Sequence, residues 1–200
     1  MKCTGMAIDF DAPHLDADPW GYLERWYEQR RRQLIAAMLP QQALGRVLEI
    51  GCSTGLVAQL LAQRAQHWLA VDISEKAIAL ARENLATHAH VDLLQADITQ
   101  HWPSGSFDTY LICDVGYYMP AQALDHIAKQ IARSAQASTV MLLAHWRHPF
   151  EEAQTPTQQV HRIFADASGL QALASYADED LLVDVWSGNG CSVARAEGLI

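Results

Sequence analysis

Short apolar runs alternate along most of the chain with longer segments in which apolar residues recur every three or four positions. The alternation extends from Arg46 to about Ser168. Short apolar runs are typical of buried strands, and a spacing of three or four residues is typical of helices with one buried face. Strands that alternate with helices predict a parallel sheet with crossover helices, so the pattern favours an α/β fold.

The apolar runs predict seven strands. They are Val47–Ile50, Trp68–Asp72, Val91–Gln95, Phe107–Cys113, Thr139–Ala144, Leu173–Ala177 and Leu181–Trp186. Three polar residues, Asp178, Glu179 and Asp180, separate the last two strands, and so short a connection predicts an antiparallel hairpin at the sheet edge. We therefore expect a doubly wound, Rossmann-like, seven-stranded, mostly parallel sheet with a C-terminal antiparallel hairpin, in a three-layer αβα arrangement.

A helix is predicted before the first strand. Asp18 and Pro19 are typical of a helix cap and first helical residue, and Pro40 would end the helix. Its apolar residues at helical spacing are Leu23, Trp26, Tyr27, Leu34 and Met38. We expect one domain over residues 1–200, in which residues 1–45 form a helical cap over a cleft and residues 46–200 form the core.

Composition and charge narrow the class of protein. Half of the 200 residues are hydrophobic, enough for one domain that buries about 70% of its unfolded surface. A formal charge of −9 disfavours nucleic acid and anionic membranes as partners, because both bind clustered lysine and arginine. Four dispersed cysteines without a Cys-x-x-Cys pair indicate reduced thiols. We expect a cytoplasmic monomer or homodimer that acts on a small molecule and holds no metal.

A glycine turn follows the first predicted strand. In Gly51-Cys52-Ser53-Thr54-Gly55, the glycines let the backbone approach a ligand at the start of a helix. A dinucleotide fingerprint requires a glycine at the position of Ser53, so a smaller ligand is favoured. The methionine part of S-adenosylmethionine fits that space, and Glu49 beneath the turn would bind its ammonium group directly or through water.

Acidic residues also follow the second and third predicted strands. Asp72 lies 21 positions after Gly51, close to the spacing of about 20 expected for an acid that binds ribose hydroxyls. Asp97 would bond the adenine amino group, while Ile73 and Ile98 would enclose the ring. Because the carboxyl ends of parallel strands meet at one edge, these residues predict a single cofactor site. Alternatively, Asp72 only caps the following helix, and Asp97 is a solvated loop carboxylate.

The same turn also satisfies Gly-x-Ser-x-Gly, the nucleophile elbow of α/β hydrolases, with Ser53 as the nucleophile. A hydrolase elbow normally follows several strands that supply the oxyanion donors, whereas this turn follows the first predicted strand. The spacing of Asp72 would then be a coincidence. A serine hydrolase and a non-catalytic nucleotide-binding module therefore remain alternatives to an enzyme that uses S-adenosylmethionine for methyl transfer.

Several motifs resemble class I methyltransferases, namely Val47–Gly55, Leu69–Ser74 and Asp114-Val115-Gly116-Tyr117-Tyr118. Others resemble the nodulation protein S family of N-methyltransferases, which act on a free amine of chitooligosaccharides. They are Asp18-Pro19-Trp20, Tyr27-Glu28-Gln29, Gly116-Tyr117-Tyr118 and His145-Trp146-Arg147-His148-Pro149. The resemblance implies S-adenosylmethionine as cofactor and an amine acceptor, with hydroxyl or carboxylate acceptors as alternatives. That family often has glutamate where this chain has Asp114.

The methyl acceptor would lie beyond the fourth and fifth strands. Asp114 would orient the incoming amine, and Tyr117 and Tyr118 would form the walls of the methyl site. His145 is either a general base or a histidine at the edge of the core. Tyr27 either covers the cofactor or belongs to the core. The run Arg30-Arg31-Arg32 is interpreted as a solvated helix face in preference to a phosphate clamp.

Overall fold

The computed structural model describes residues 8–16 and 18–200, which contain a seven-stranded sheet. Its strands are β1 (Gly45–Ile50), β2 (Ala65–Asp72), β3 (Val91–Gln95), β4 (Thr109–Cys113), β5 (Val140–Trp146), β6 (Gln171–Ala177) and β7 (Leu181–Ser187). The order across the sheet is β3-β2-β1-β4-β5-β7-β6. The first five strands are parallel, and β7 is antiparallel to both β5 and β6. The predicted fold class is confirmed.

Six α-helices accompany the sheet in the described residues. They are α1 (Trp26–Met38), α2 (Leu56–Leu61), α3 (Glu75–Asn84), α4 (Ala121–Ser134), α5 (Thr157–Ala167) and α6 (Val193–Ala196). One buried cluster joins α1, α2 and α3 to the sheet through residues such as Ile35 and Ile78. A second cluster joins α4 and α5 through Leu124 and Phe164. Successive strand residues point to opposite faces, so Val47 enters the first cluster and Leu48 the second. The result is three layers.

The C-terminal hairpin lies as predicted, with β7 inside and β6 at the edge of the sheet. Most of β7 is buried, because strands pair on both of its sides, whereas most of β6 is exposed. No helix in the described ranges is both long and apolar enough to span a bilayer.

The N-terminal helix begins later than predicted. Pro19 opens a single 3₁₀ turn, Pro19–Gly21, in which Trp20 and Gly21 have φ of 59° and 71°. A left-handed backbone cannot continue a right-handed helix, so α1 starts at Trp26. Asp18 does not cap α1; its carboxylate accepts the N–H of Leu23 instead. Leu23 and Trp26 are 58% and 71% exposed, so they do not belong to the core.

Candidate active site

A cavity of about 900 Å³ lies at the carboxyl ends of β1, β2 and β4, between the sheet and the N-terminal segment. Most of the residues predicted for the site line it. They are Tyr27, Glu49, Gly51, Cys52, Ser53, Asp72, Ile73, Asp97, Ile98, Asp114, Tyr117 and Tyr118. Gly55 and His145 are the two predicted residues that do not line it. The strand ends therefore converge on one space large enough for a cofactor and an acceptor.

The glycine turn is held from within the protein. Gly51 and Cys52 both donate their N–H groups to the carbonyl of Val71, at 2.8 Å and 3.1 Å. Ser53, whose φ is 47°, donates its N–H to Asp72 Oδ2 at 2.8 Å. These three amides therefore have acceptors within the protein and are not free to donate to a ligand.

Gly55 serves packing instead of binding. Its φ is 78°, and a Cβ at this position would lie 2.7 Å from Leu85 Cδ1 on the segment that ends α3. Both the left-handed backbone and the close contact favour glycine. Gly55 therefore fixes the approach of α2 to α3 behind the cavity.

Asp72 and Asp97 stand at the ends of β2 and β3 with their carboxylates oriented by backbone groups. Asp72 Oδ1 accepts the N–H of Ser74 at 2.9 Å, while Oδ2 accepts that of Ser53. Burial raises the pKa of Asp72, and these N–H groups act in the opposite direction. Asp97 Oδ1 accepts the N–H and the hydroxyl of Thr99 at 2.9 Å and 2.7 Å. A carboxylate oxygen accepts more than one hydrogen bond, so both acids remain able to bind a ligand.

Glu49 lies beneath the turn and is 2% exposed. Its Oε2 accepts the indole N–H of Trp68 at 3.0 Å. Burial raises the pKa of Glu49 to about 8, so the carboxyl group is mostly protonated at neutral pH until a cation approaches. This environment suits a residue that meets a cationic group of a ligand.

Asp114 occupies the turn after β4, where its φ is 51°. Its Oδ1 accepts the N–H of Trp146 at 2.8 Å, and its Oδ2 forms an ion pair with Arg31 Nη1 at 2.8 Å. Arg31 also donates from Nε and Nη2 to Glu28 Oε2, at 3.1 Å and 2.8 Å. Burial alone would lower the pKa of Arg31, but Asp114 and Glu28 raise it, so the guanidinium stays charged.

Arg31 is a cavity residue that the sequence analysis missed. The interpretation of Arg30-Arg31-Arg32 as a solvated face is wrong for Arg31, which is 6% exposed, and for Arg32, whose side chain also lines the cavity. It holds for Arg30, which pairs with Asp178 at the surface. The signal available in the sequence was Glu28, placed three residues before Arg31 on the same helix face.

Aromatic rings form the walls near Asp114. Tyr118 contacts Phe10 and Phe150 edge to face, each at 5.5 Å between ring centroids. Tyr27 contacts Trp146 in the same way at 5.0 Å, so it covers the cavity and does not enter the core. Burial raises the pKa of Tyr118 to about 12 and that of Tyr117 well above its usual value. Both tyrosines are therefore neutral phenols, which form walls and do not act as bases.

His145 does not reach the cavity. It is fully buried, and its Nε2 accepts the N–H of Gly116 at 3.0 Å. Burial holds the pKa of His145 well below its usual range. Of its two interpretations, the structure agrees with a buried histidine, because a base must have a free lone pair within reach of the substrate.

The N-terminal segment contributes contacts that the sequence analysis did not identify. His14 Nε2 lies 2.9 Å from Ser53 Oγ on the glycine turn. Asp11 Oδ1 accepts the hydroxyl of Ser74 at 2.6 Å, beside Asp72. Several residues of the segment 8–16 therefore line the cavity beside the ends of β1 and β2. The part of the predicted cap within residues 1–7 lies outside the described residues.

Comparison with known proteins finds related methyltransferases. Residues 47–138 match a family described as a methyltransferase domain. Nodulation protein S of Azorhizobium caulinodans is 30% identical over 183 residues, which span 88% of this chain and 82% of that protein. With nodulation protein S of Sinorhizobium fredii the match is 29% identical, covers 51% of this chain and spans about half (48%) of that relative's length.

Two solved structures share the fold. A putative methyltransferase from Pseudomonas syringae is 32% identical and superposes with a TM-score of 0.72, covering 82% of this chain and 99% of that one. The N-methyltransferase NodS from Bradyrhizobium japonicum WM9, in complex with S-adenosyl-L-homocysteine, is 21% identical with a TM-score of 0.78, covering 88% of this chain and 95% of that one.

Proposed function

Since the chain belongs to the class I S-adenosylmethionine-dependent methyltransferases, we propose that it transfers a methyl group to an amine nitrogen of a small molecule. The observation that carries this proposal is the charge of the cavity. Eight acidic side chains, among them the neutral Glu49, and three arginines line it. Such a lining favours cationic ligands, which include both a sulfonium and an amine in its protonated form.

The cavity residues fit the cofactor of this family. Arg32 Nη1 and Tyr27 Oη are buried polar atoms without a hydrogen-bond partner among the described residues, and both residues line the cavity. Arg32 Nη1 lies 3.9 Å from Glu28 Oε2, an ion pair too long for a hydrogen bond, so a carboxylate placed beside Arg32 would provide an acceptor. S-adenosylmethionine carries such a carboxylate and supplies an activated methyl group on its sulfonium.

Each remaining part of the cofactor has a candidate partner. Asp72 would accept the ribose hydroxyls, and Asp97 would accept the adenine amino group. Ile73 and Ile98 are side chains at the same end of the cavity that would enclose the adenine ring. Glu49 would ionise on meeting the ammonium group, because a nearby cation lowers a carboxyl pKa.

The acceptor would enter on the side of Asp114. That carboxylate, fixed by Arg31 and Trp146, would orient an amine by accepting an N–H hydrogen bond. Glu152 and Asp180 add negative charge to the same cavity, and Tyr118 presents an aromatic face. A cation over such a face gains about 0.5–2 kcal/mol. These groups favour a small amine, including an amino sugar, over an oxyanion acceptor.

Nucleic acid is a weaker candidate for the acceptor. The chain has a net charge of −9, which opposes binding to phosphate. The segment Asp114-Val115-Gly116-Tyr117 also lacks the two prolines of the Asp-Pro-Pro-Tyr turn found in base methyltransferases. The proposed acceptor is therefore a free small molecule.

A panel of small amines, amino sugars, alcohols and carboxylates, assayed for methyl transfer, tests this function. We expect transfer to amines, at a rate that rises with pH because the nitrogen must lose a proton before it attacks. Asp114→Asn should reduce kcat on the order of 10²-fold while S-adenosylhomocysteine affinity stays within about 3-fold. The exposed Asp166→Asn is the matched control. Methylation confined to hydroxyl or carboxyl groups would reject the amine acceptor. A loss of cofactor binding in Asp114→Asn would place Asp114 in the cofactor site.

A further inference from the structure

Three consecutive residues at the end of β5 hold the turn that follows β4. The carbonyl of Ala144 accepts the N–H of Asp114, and the N–H of Trp146 donates to Asp114 Oδ1, both at 2.8 Å. Between them, His145 Nε2 accepts the N–H of Gly116 at 3.0 Å. Ala144 and Trp146 use backbone groups, which any residue would supply. The bond to Gly116 instead requires the side chain at position 145.

A chain of hydrogen bonds continues behind His145 into α5 and β7. His145 Nδ1 lies 3.0 Å from His161 Nε2, and His161 Nδ1 lies 2.6 Å from Asp184 Oδ2. The amide of Gly116 can only donate, so His145 Nε2 carries no proton and Nδ1 does. His161 Nε2 must then accept, and its own Nδ1–H donates to Asp184. The geometry therefore requires both rings to be neutral, each with its proton on Nδ1.

The surroundings keep His145 in this state. His145 is fully buried and His161 is 4% exposed. The charged or titratable groups around His145 are His161 on α5, with Asp184 behind it, and Arg31 on α1. Tyr117 also packs against its ring, at 5.3 Å between centroids. A second proton on His145 would be repelled by the positive charge of Arg31 and would replace an acceptor with a donor opposite Gly116.

We propose that His145, backed by His161 and Asp184, is a positioning residue for methyl transfer. It fixes the 3₁₀ turn Gly116–Tyr118, whose two tyrosines form walls of the acceptor side of the cavity. The contact is tight, because a Cβ on Gly116 would lie 2.6 Å from Val160 Cγ1 and 2.9 Å from His145 Nε2. Movement of the ring is therefore transmitted to the turn. The role in catalysis rests on the proposed function, whereas the proton positions do not.

The proton positions can be tested in the wild-type protein by two-bond ¹H–¹⁵N correlation spectra of the histidine rings. We expect His145 and His161 to be Nδ1–H tautomers at neutral pH, with the S-adenosylhomocysteine complex showing the same pattern. A proton on Nε2 of His145 would overturn the proposal. This measurement needs neither an acceptor nor a variant, so it stands even if no amine is methylated.

Two variants test the effect on the acceptor. His145→Leu removes the acceptor for the Gly116 N–H, whereas His145→Gln supplies an oxygen at similar reach. We expect His145→Leu to accelerate Gly116 amide exchange and to raise the acceptor KM about 10-fold or more, with S-adenosylhomocysteine affinity within about 3-fold. His145→Gln should restore the KM to within about 3-fold of the wild type. The exposed His126→Gln is the control for the histidine-to-glutamine change.

If His145 had only a structural role, the changes in Gly116 exchange, acceptor KM and cofactor affinity would differ from those expected above. Ile131→Val trims the buried core of α4 and serves as the comparison for lost stability. If His145→Leu leaves Gly116 exchange and acceptor KM unchanged, or weakens cofactor binding as much as acceptor binding, the proposal is wrong. If no acceptor is found, the proposed function fails, while the tautomers and Gly116 exchange still decide whether His145 holds the turn.

Discussion

The two halves of the cavity differ in how far apart in sequence their contacting residues are. In the half proposed for the cofactor, which we call the cofactor half, at the ends of β2 and β3, Asp72 and Asp97 are oriented by groups that are nearby in sequence or on the turn after β1. In the half proposed for the acceptor, which we call the acceptor half, at the ends of β4 and β5, Asp114 pairs with Arg31 from α1. Backbone contacts within a turn survive many substitutions, whereas a buried ion pair depends on both partners. The acceptor half should therefore be the more sensitive to single substitutions.

The largest effect is expected at Arg31. Arg31→Met leaves Glu28 and Asp114 without their shared cation, and breaking a buried pair costs about 3–5 kcal/mol of unfolding free energy. Urea unfolding followed by circular dichroism measures the change. Arg30→Met is the neighbouring control, and its surface pair with Asp178 should contribute little. Equal losses in the two variants would show that Arg31 does not organise the acceptor half.

A smaller effect, measured here on ligand affinity, is expected at Asp72. Asp72→Ala should weaken S-adenosylhomocysteine binding by about 1–3 kcal/mol, because hydrogen bonds from the ribose to a charged acceptor are lost. Isothermal titration calorimetry measures the affinity, and Asp166→Ala on the exposed face of α5 is the control. A folded Asp72→Ala protein with unchanged affinity would contradict the ribose assignment.

Glu49 should make stability depend on pH. Its pKa is raised by burial from 4.5 to about 8, so the folded protein retains a proton that the unfolded chain has released. The free energy of unfolding therefore falls as the pH rises from about 4.5 to about 8. Between pH 7 and 8, the wild type should lose about 1 kcal/mol more than Glu49→Gln, which cannot ionise. Parallel stability curves for the two proteins would show that Glu49 is ionised throughout.

The sheet and the cofactor half could be predicted because their signals are local. Most strands are short apolar runs; Asp72 is the last residue of β2, and Asp97 lies two residues after the end of β3. The start of α1 was misplaced because Pro19 is equally compatible with a 3₁₀ turn. The left-handed backbone at Trp20, within that turn, leaves no mark in the sequence because Trp20 is not a glycine.

The acceptor half could be predicted only in part, because its geometry arises from residues far apart in sequence. Asp114 was identified from its motif, but its ion pair with Arg31 requires α1 to pack beside the end of β4. Likewise, nothing near His145 in sequence indicates that its lone pair is taken by Gly116. Such pairings depend on tertiary packing, which periodicity and spacing do not encode.

The smallest effect on activity is expected at Ser53, where the glycine turn contacts the N-terminal segment. Ser53 Oγ lies 2.9 Å from His14 Nε2, the distance of a nucleophile–base pair, but His14 Nδ1 contacts the carbonyl of Phe10, not a carboxylate. Ser53→Ala should cost about 0.5–1.5 kcal/mol of stability for one hydrogen bond and leave methyl transfer within about 3-fold. A fluorophosphonate probe should not label Ser53. Labelling of Ser53 with loss of activity would instead support the alternative of a serine hydrolase. The small effect follows because the turn is held by the N–H groups of Gly51 and Cys52, which the substitution leaves unchanged.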